Sequence, residues 1–458
     1  MTTPVLAERL EKYEQAVLHL LEHEPQLTIY GWVISIVGIQ VRVVLPGCKL
    51  GELCFIEIPN EKPILAEVVG FENGDTLLST LSTPDGVAYR SKVVPLGIAH
   101  QITTKGDLNG LVLDGVGRNL SSGSGGLLVS ETIKSDQVHS YKQVVCEAVP
   151  ATEKVRIETP LYTGVRVIDT FMTIGEGQRI GLFAGAGCGK TTLLLTLARG
   201  CQADAIVFAL IGERGRELKE FLEHELDDEL KSRTIMVCAT SDRSSMERSR
   251  AAFTATAIAE SLRDEGKKVL LLVDSLTRFA RAQREIGLAN GEPPAKGGFP
   301  PSVYTMLPKL IERAGITTTG SITAIYTVLV EGEATSDPIA EEAKSLLDGH
   351  IYLSRKLAEA NHYPAVDVLR SISRIMGNVV GKDHLTQSGK LRSMMARYED
   401  VELLIRLGEY KEGVDPSTDN AVSLHQPIKS FCQQGTRDQS SIDQTLEHVN
   451  ELCGAMSH

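Results

Sequence analysis

No two cysteines in this sequence stand as Cys-x-x-Cys; the eight present are scattered singly. That spacing excludes a disulfide framework and a zinc site of the usual kind. Nowhere does an apolar run approach the ~20 residues that cross a bilayer. Met1–Leu20 alternates charged with apolar residues rather than forming a signal peptide, so the cytoplasm is the expected compartment. Positive charge is also short. The 47 Lys and Arg against 59 Asp and Glu leave a net charge of −12, so a broad nucleic-acid-binding surface is not expected. With 42% hydrophobic and 23% charged residues the composition is that of a globular protein. A chain of 458 residues exceeds one ordinary core, which implies two or three domains.

Along the chain, Ala7–Glu22 sets Leu10, Tyr13, Val17, Leu20 and Leu21 at helical spacing and predicts an N-terminal amphipathic helix over 1–24, either docked on its own domain or serving as a partner-binding arm. Within it, His19-Leu20-Leu21-Glu22-His23 has the His-x-x-Glu-His form of some zinc sites. No third ligand accompanies it and Pro25 follows at once, so it reads as two solvated histidines. From Thr28 the period becomes two. Short strands with the turn signal Asn73-Gly74-Asp75 predict a small β-barrel over 25–97, whose closure removes exposed sheet edges and suits a collar in a ring. Over 98–378, the apolar runs Arg179–Phe183, Ala205–Ile211, Thr234–Ala239, Lys268–Val273 and Ser321–Val328 alternate with helical segments. They predict a parallel sheet wrapped by helices. The segment 379–458 predicts a helical domain, with Leu391, Met394, Met395, Tyr398, Leu403, Leu404 and Leu407 as its packed face.

The chemistry starts at Phe183-Ala184-Gly185-Ala186-Gly187-Cys188-Gly189-Lys190-Thr191-Thr192, which follows a predicted strand and opens a predicted helix. This is a P-loop: glycines let successive N–H groups turn inward around phosphate oxygens, and the helix N-terminus adds its positive end. Lys190 brings a charge between the β- and γ-phosphates, and the Thr191 hydroxyl can ligate Mg²⁺. ATP and Mg²⁺ are therefore the expected ligands. Ala184 stands where the strict pattern has glycine, which is tolerated where φ is negative. Cys188 reads equally as a reactive thiolate or a small buried residue. The strand Lys268–Val273 ends in Asp274, the way a Walker B carboxylate reaches the Mg²⁺ shell. The strand over 206–211 ends in Gly212-Glu213-Arg214-Gly215-Arg216-Glu217. From spacing alone Glu213 is either the group that polarises the attacking water or part of a solvated charge cluster.

Together these residues resemble the RecA-type catalytic subunits of rotary ATP synthases. The P-loop, the run Gly212–Glu217 and Pro364-Ala365-Val366-Asp367-Val368-Leu369-Arg370-Ser371-Ile372-Ser373 carry that resemblance. The fold it implies is an α/β RecA-like P-loop NTPase core, with an N-terminal small β-barrel and a C-terminal helical domain. Within that superfamily the chain is similar to export ATPases of type III secretion systems. The matching segments include Arg250–Glu260, Gly297–Val303, Gly320–Leu329, Leu347–Ile351, Ile405–Tyr410 and Gln433–Asp438. The last of these tilts the resemblance toward the injectisome over the flagellar branch. By that resemblance Lys190 binds phosphates, Glu213 activates water, and Arg214 and Arg278 organise the γ-phosphate and the catalytic carboxylate. Tyr363 stacks on adenine, and Arg374 is an arginine finger from the neighbouring subunit.

Because Glu213 and Arg374 stand in one chain, a ring of identical copies has a complete site at each interface, and a homohexamer is the expected assembly. The resemblance also implies stalk and stator-like regulator proteins, chaperone–effector complexes and, indirectly, a membrane export gate as partners, at the inner-membrane face of the apparatus. A non-catalytic ring subunit is the first competing reading, disfavoured by Glu213. A hexameric RNA translocase is the second, disfavoured by the acidic chain and the single Trp. A flagellar export ATPase and a synthase catalytic subunit complete the alternatives.

Overall fold

The computed structural model describes residues 29–104, 108–120, 127–129, 141–330 and 337–455. The predicted N-terminal helix and its His-x-x-Glu-His run lie outside them. The chain divides into two compact units, Met1–Ala99 and His100–His458.

In the first unit six strands close a barrel: β1 (Gly31–Val37), β2 (Gln40–Val44), β3 (Glu52–Ile56), β4 (Ile64–Glu72), β5 (Asp75–Thr80) and β6 (Lys92–Ala99), in the order β1-β2-β5-β4-β3-β6. Asn73 and Gly74 both take positive φ, 53° and 88°, as the tight β4–β5 hairpin requires. Alternation selects the interior. Val33, Val41, Val43, Cys54, Ile56 and Val68 fill the barrel, while Trp32 faces outward at 45% exposure.

The second unit is built on a nine-stranded sheet. Its path uses β7 (Val112–Asp114), β8 (Arg179–Ala184), β9 (Ala205–Glu213), β10 (Thr234–Thr240), β11 (Lys268–Asp274), β12 (Ser321–Leu329), β13 (Gly349–Leu353) and β14 (Val366–Ser373). The order is β14-β13-β8-β12-β11-β9-β10-β7, parallel except for the edge strand β14, and the ninth strand, Gly315–Ile316, pairs antiparallel with β12 off this path. The apolar runs follow from burial on both faces. Ala205, Val207, Ala209 and Ile211 of β9 pack into one apolar layer. Ile206, Phe208 and Leu210 pack into the other. A strand covered on both sides has no solvent face to mark with polar residues.

Helices close both layers. The Ala-rich helix Ser245–Asp264 lies against β9, β10 and β11 and is buried along almost its whole length. Small residues let the backbone approach the sheet closely. On the other face lie Lys190–Gly200 and three C-terminal helices, α1 (Lys382–Leu407), α2 (Pro416–Cys432) and α3 (Ile442–Gly454), all in the same compact unit as the sheet.

One expectation is corrected here. Leu391, Met394 and Met395 of α1 do pack inward, and Tyr398 stacks on His425 with ring centroids 3.5 Å apart. Leu403, Leu404 and Leu407, however, are 65%, 41% and 63% exposed. Arg397 already bonds Asp415 and Thr418 at the start of α2. The last turns of α1 therefore run past the partner helix that would cover them.

Candidate active site

Strand ends converge on the site. In register, Ala184 of β8 sits opposite Leu329 of β12, and Asp274 of β11 sits opposite Leu210 of β9. The chain leaves β8 into the P-loop, leaves β11 at Asp274 and leaves β9 at Glu213, all at the carboxyl edge of the parallel strands. Crevices at that edge are where open α/β sheets bind ligands.

Ala184 is the last residue of an extended strand, so its Cβ costs nothing there. Gly187 and Gly189 take φ of 77° and 81°, a region glycine enters freely. A Cβ on Gly187 would stand in open space on the cradle's rim, and one on Gly189 would come 3.3 Å from the Tyr363 ring. Gly189 caps the helix Lys190–Gly200. Gly185, Ala186 and the first helical residues, including Thr191 and Thr192, wrap the position an anion takes at a helix N-terminus. Cys188 is 2% exposed and belongs to the apolar cluster under the loop, so it packs as a small apolar residue.

The charged groups fall into two linked pairs. Lys190 Nζ donates to Asp274 Oδ1 at 2.5 Å, and Thr327 Oγ1 donates to the same oxygen at 2.8 Å. Asp274 is 2% exposed. A carboxylate so buried needs both a cation and a hydrogen bond, and it has them. Beside this pair, Arg278 bridges the Glu213 carboxylate, at 3.1 Å, and the Gly212 carbonyl. Burial pushes the Glu213 carboxyl up to about 6, the Glu217 carboxyl bonded to it adds to the rise, and Arg278 pulls it back. A carboxyl held near neutrality at a strand end, beside a phosphate cradle, can accept a proton from water or polarise it.

Two predicted residues lie elsewhere. Arg214 is 81% exposed and pairs with Glu217 at 3.6 Å, so within one chain Arg278 alone of the two arginines holds Glu213. Arg374 is exposed, its guanidinium donating to the Lys344 carbonyl at 3.0 Å. Its backbone N–H bonds the Asp348 carbonyl, and Asp348 in turn bonds the Arg179 carbonyl, so Arg374 is level with the start of β8. The P-loop leaves the other end of β8, five residues and about 16 Å away at ~3.3 Å per residue.

A cavity of about 350 Å³ opens beside the P-loop, between Gly189 and Tyr363. Leu193, Leu353, Pro364 and Ala365 contribute its apolar wall, and Gln434, Gly435 and Thr436 close it from the loop between α2 and α3.

Comparison with known proteins agrees with this layout. Residues 164–373 match the nucleotide-binding domain of the ATP synthase alpha/beta family, and residues 380–451 match the C-terminal domain of the type III secretion ATPase EscN. A type 3 secretion system ATPase of Pseudomonas syringae pv. tomato is 55% identical over 92% of both chains. The chain belongs to the type 3 secretion ATPases of the ATP synthase alpha/beta family. A flagellum-specific ATP synthase of Treponema pallidum is 42% identical over 98% of this chain and 97% of its own. The solved structure of assembled EscN from enteropathogenic E. coli superimposes with a TM-score of 0.85, at 44% identity, covering 92% of this chain and 99% of EscN. The complex of EscN with its central stalk EscO gives 0.83 at the same identity and coverage.

As a member of that family the chain is a nucleotide-binding ATPase. Its oxygen donors also suit Mg²⁺. Thr191 and Asp274 offer hard oxygen donors beside the P-loop, and among the described residues no group of three or more His, Cys, Asp or Glu forms a metal cage. Mg²⁺ is held in such sites by one or two protein oxygens plus phosphates and water. Several groups at the site escaped sequence reasoning. Thr327 was hidden in the strand Ser321–Leu329, which also carries the hydroxyls of Ser321, Thr323 and Tyr326, so only its place near the carboxyl end was a signal. Gln434 and Thr436 carried a family resemblance without an assigned role.

Proposed function

We propose that this chain hydrolyses Mg·ATP as a ring ATPase of a type III secretion apparatus, energising chaperone release, unfolding and export of secreted proteins. The observation that carries the chemistry is the pairing of Lys190–Asp274 with Glu213–Arg278 at adjacent strand ends. Lys190 and the P-loop amides hold the β- and γ-phosphates; Thr191, and Asp274 through water, would hold Mg²⁺, which would neutralise charge on the transferring group. Glu213 orients the attacking water, and Arg278 fixes the direction of its carboxylate. Tyr363 stacks on the base.

Arg374 completes the neighbour's site. Its place about 16 Å from its own P-loop supports action between subunits, and so supports a homohexamer. The EscN–EscO complex supports a stalk partner in the ring's centre. Chaperone–effector complexes, a stator-like regulator and a station at the inner-membrane face of the apparatus follow from the same reading. Arg214, solvent-facing here, is assigned to organising the γ-phosphate once a neighbour covers it.

The test separates chemistry from binding. Glu213→Gln should bind ATP normally and turn over at least ~10²-fold more slowly, the usual worth of a general base. Lys190→Ala should weaken nucleotide binding itself. Near-normal turnover by Glu213→Gln would remove Glu213 from the mechanism.

A further inference from the structure

Of the four hydroxyls on β12, one alone reaches the site. Ser321 Oγ donates to Glu176 at 2.9 Å and Thr323 Oγ1 accepts the Gly177 N–H at 2.8 Å, both near the strand's amino end. The buried Tyr326 hydroxyl has no partner among the described residues. Thr327 is fully buried and level with Asp274: Val273 of β11 stands opposite Tyr326, and Leu182 of β8 stands opposite Thr327. It therefore sits on the strand between the one that enters the P-loop and the one that ends in Asp274.

The bonds to Asp274 fall on a single oxygen. Oδ1 accepts from Lys190 Nζ at 2.5 Å and from Thr327 Oγ1 at 2.8 Å, while Oδ2 has no donor among the described residues. The two donors differ in freedom. Lys190 carries its ammonium on a flexible four-carbon stem, and the proposed mechanism draws that charge to the phosphates. Thr327 is β-branched and stiff at its first torsion, so its hydroxyl stays where the strand puts it.

We infer that Thr327 is a positioning residue for Mg²⁺: it keeps the Asp274 carboxylate ionised and in one orientation when Lys190 turns to the phosphates, leaving Oδ2 for the metal's water shell. A buried carboxylate stripped of both donors would take up a proton or rotate. One donor fixed on the neighbouring strand prevents both. Partners that orient a ligand without touching the metal are typically worth ~10–100-fold in metal affinity. The inference rests on the reading that nucleotide and Mg²⁺ bind at the P-loop.

The experiment titrates mant-ADP, a fluorescent nucleotide, into the full-length chain across a Mg²⁺ series and in EDTA. Thr327→Val keeps the side chain's shape and removes its hydroxyl; Thr327→Ala repeats the test should valine not be accommodated. Either variant should bind mant-ADP as the wild type does in EDTA, yet need ~10–100-fold more Mg²⁺ for the same tightening. Thr327→Ser should restore much of the loss, because the hydroxyl returns. Thr323→Val, which removes a buried hydroxyl from the same strand outside the site, should keep the wild-type Mg²⁺ requirement. A wild-type Mg²⁺ requirement in Thr327→Val would overturn the inference. So would equal weakening with Mg²⁺ and in EDTA, which marks a general defect of the strand. A wild-type chain that binds mant-ADP no tighter with Mg²⁺ than in EDTA would sink the Mg²⁺ reading itself, and the role of Thr327 with it.

Discussion

At the scale of single residues, Glu213 is governed by opposed forces. Burial and the neighbouring Glu217 raise its carboxyl to about 6, and Arg278 draws it down. The protonated acid cannot take a proton from water, so activity should be lost as pH falls through about 6 and level off above it. Arg278→Ala removes the lowering cation, so the acidic limb of kcat/KM should move to higher pH. Initial rates against pH on both proteins decide this. A limb that stays in place would mean that Arg278 does not set the charge of Glu213.

At the scale of elements, a buried ion pair anchors the sheet's helical cover. Arg313 is fully buried, and its Nε and NH2 meet both carboxylate oxygens of Glu260, on the helix Ser245–Asp264, at 2.9 and 2.7 Å. A third donor reaches the Val144 carbonyl at 2.6 Å. Removing one partner strands a buried charge, so Glu260→Ala should destabilise the chain by about 3–5 kcal/mol in denaturant unfolding. Glu265→Ala, one turn on and solvent-facing with its partner Lys267, should change stability by less than about 1 kcal/mol. Equal effects of the two substitutions would show that the buried pair contributes no more than a surface one.

At the scale of the whole molecule, Arg374 and Glu213 belong to different sites of one ring in the proposed mechanism. A finger of this kind is typically worth ~10³–10⁵ in rate. Arg374→Ala should therefore fold and bind ATP while turning over at a residual rate, and wild-type activity per chain should rise steeply with protein concentration. Mixing Glu213→Gln with Arg374→Ala should restore part of the activity. Where the intact Glu213 of one copy meets the intact Arg374 of the next, a site is whole. Mixed rings that stay inactive would show that Arg374 does not act across the interface.

Local grammar alone determined the phosphate site and the sheet. Glycines at Gly187 and Gly189 before Lys190, and apolar runs ending in Asp274 and Glu213, follow from the chain's immediate neighbours, so they are legible without a fold. The resemblance of the motifs then pointed to the family. Other features depended on what lies far along the chain. Glu213 stood between two readings until Arg278 and burial surrounded it, because a carboxyl's charge is set by its surroundings rather than its sequence neighbours. The exposed end of α1 had an apolar pattern that predicts packing, yet its partner helix begins too late to cover it. Gln434 lies 270 residues from the glycine it bonds, so only the folded chain assigns its amide to the loop. The distance of Arg374 from its own P-loop is likewise decided by an antiparallel edge strand, whose direction no local pattern specifies.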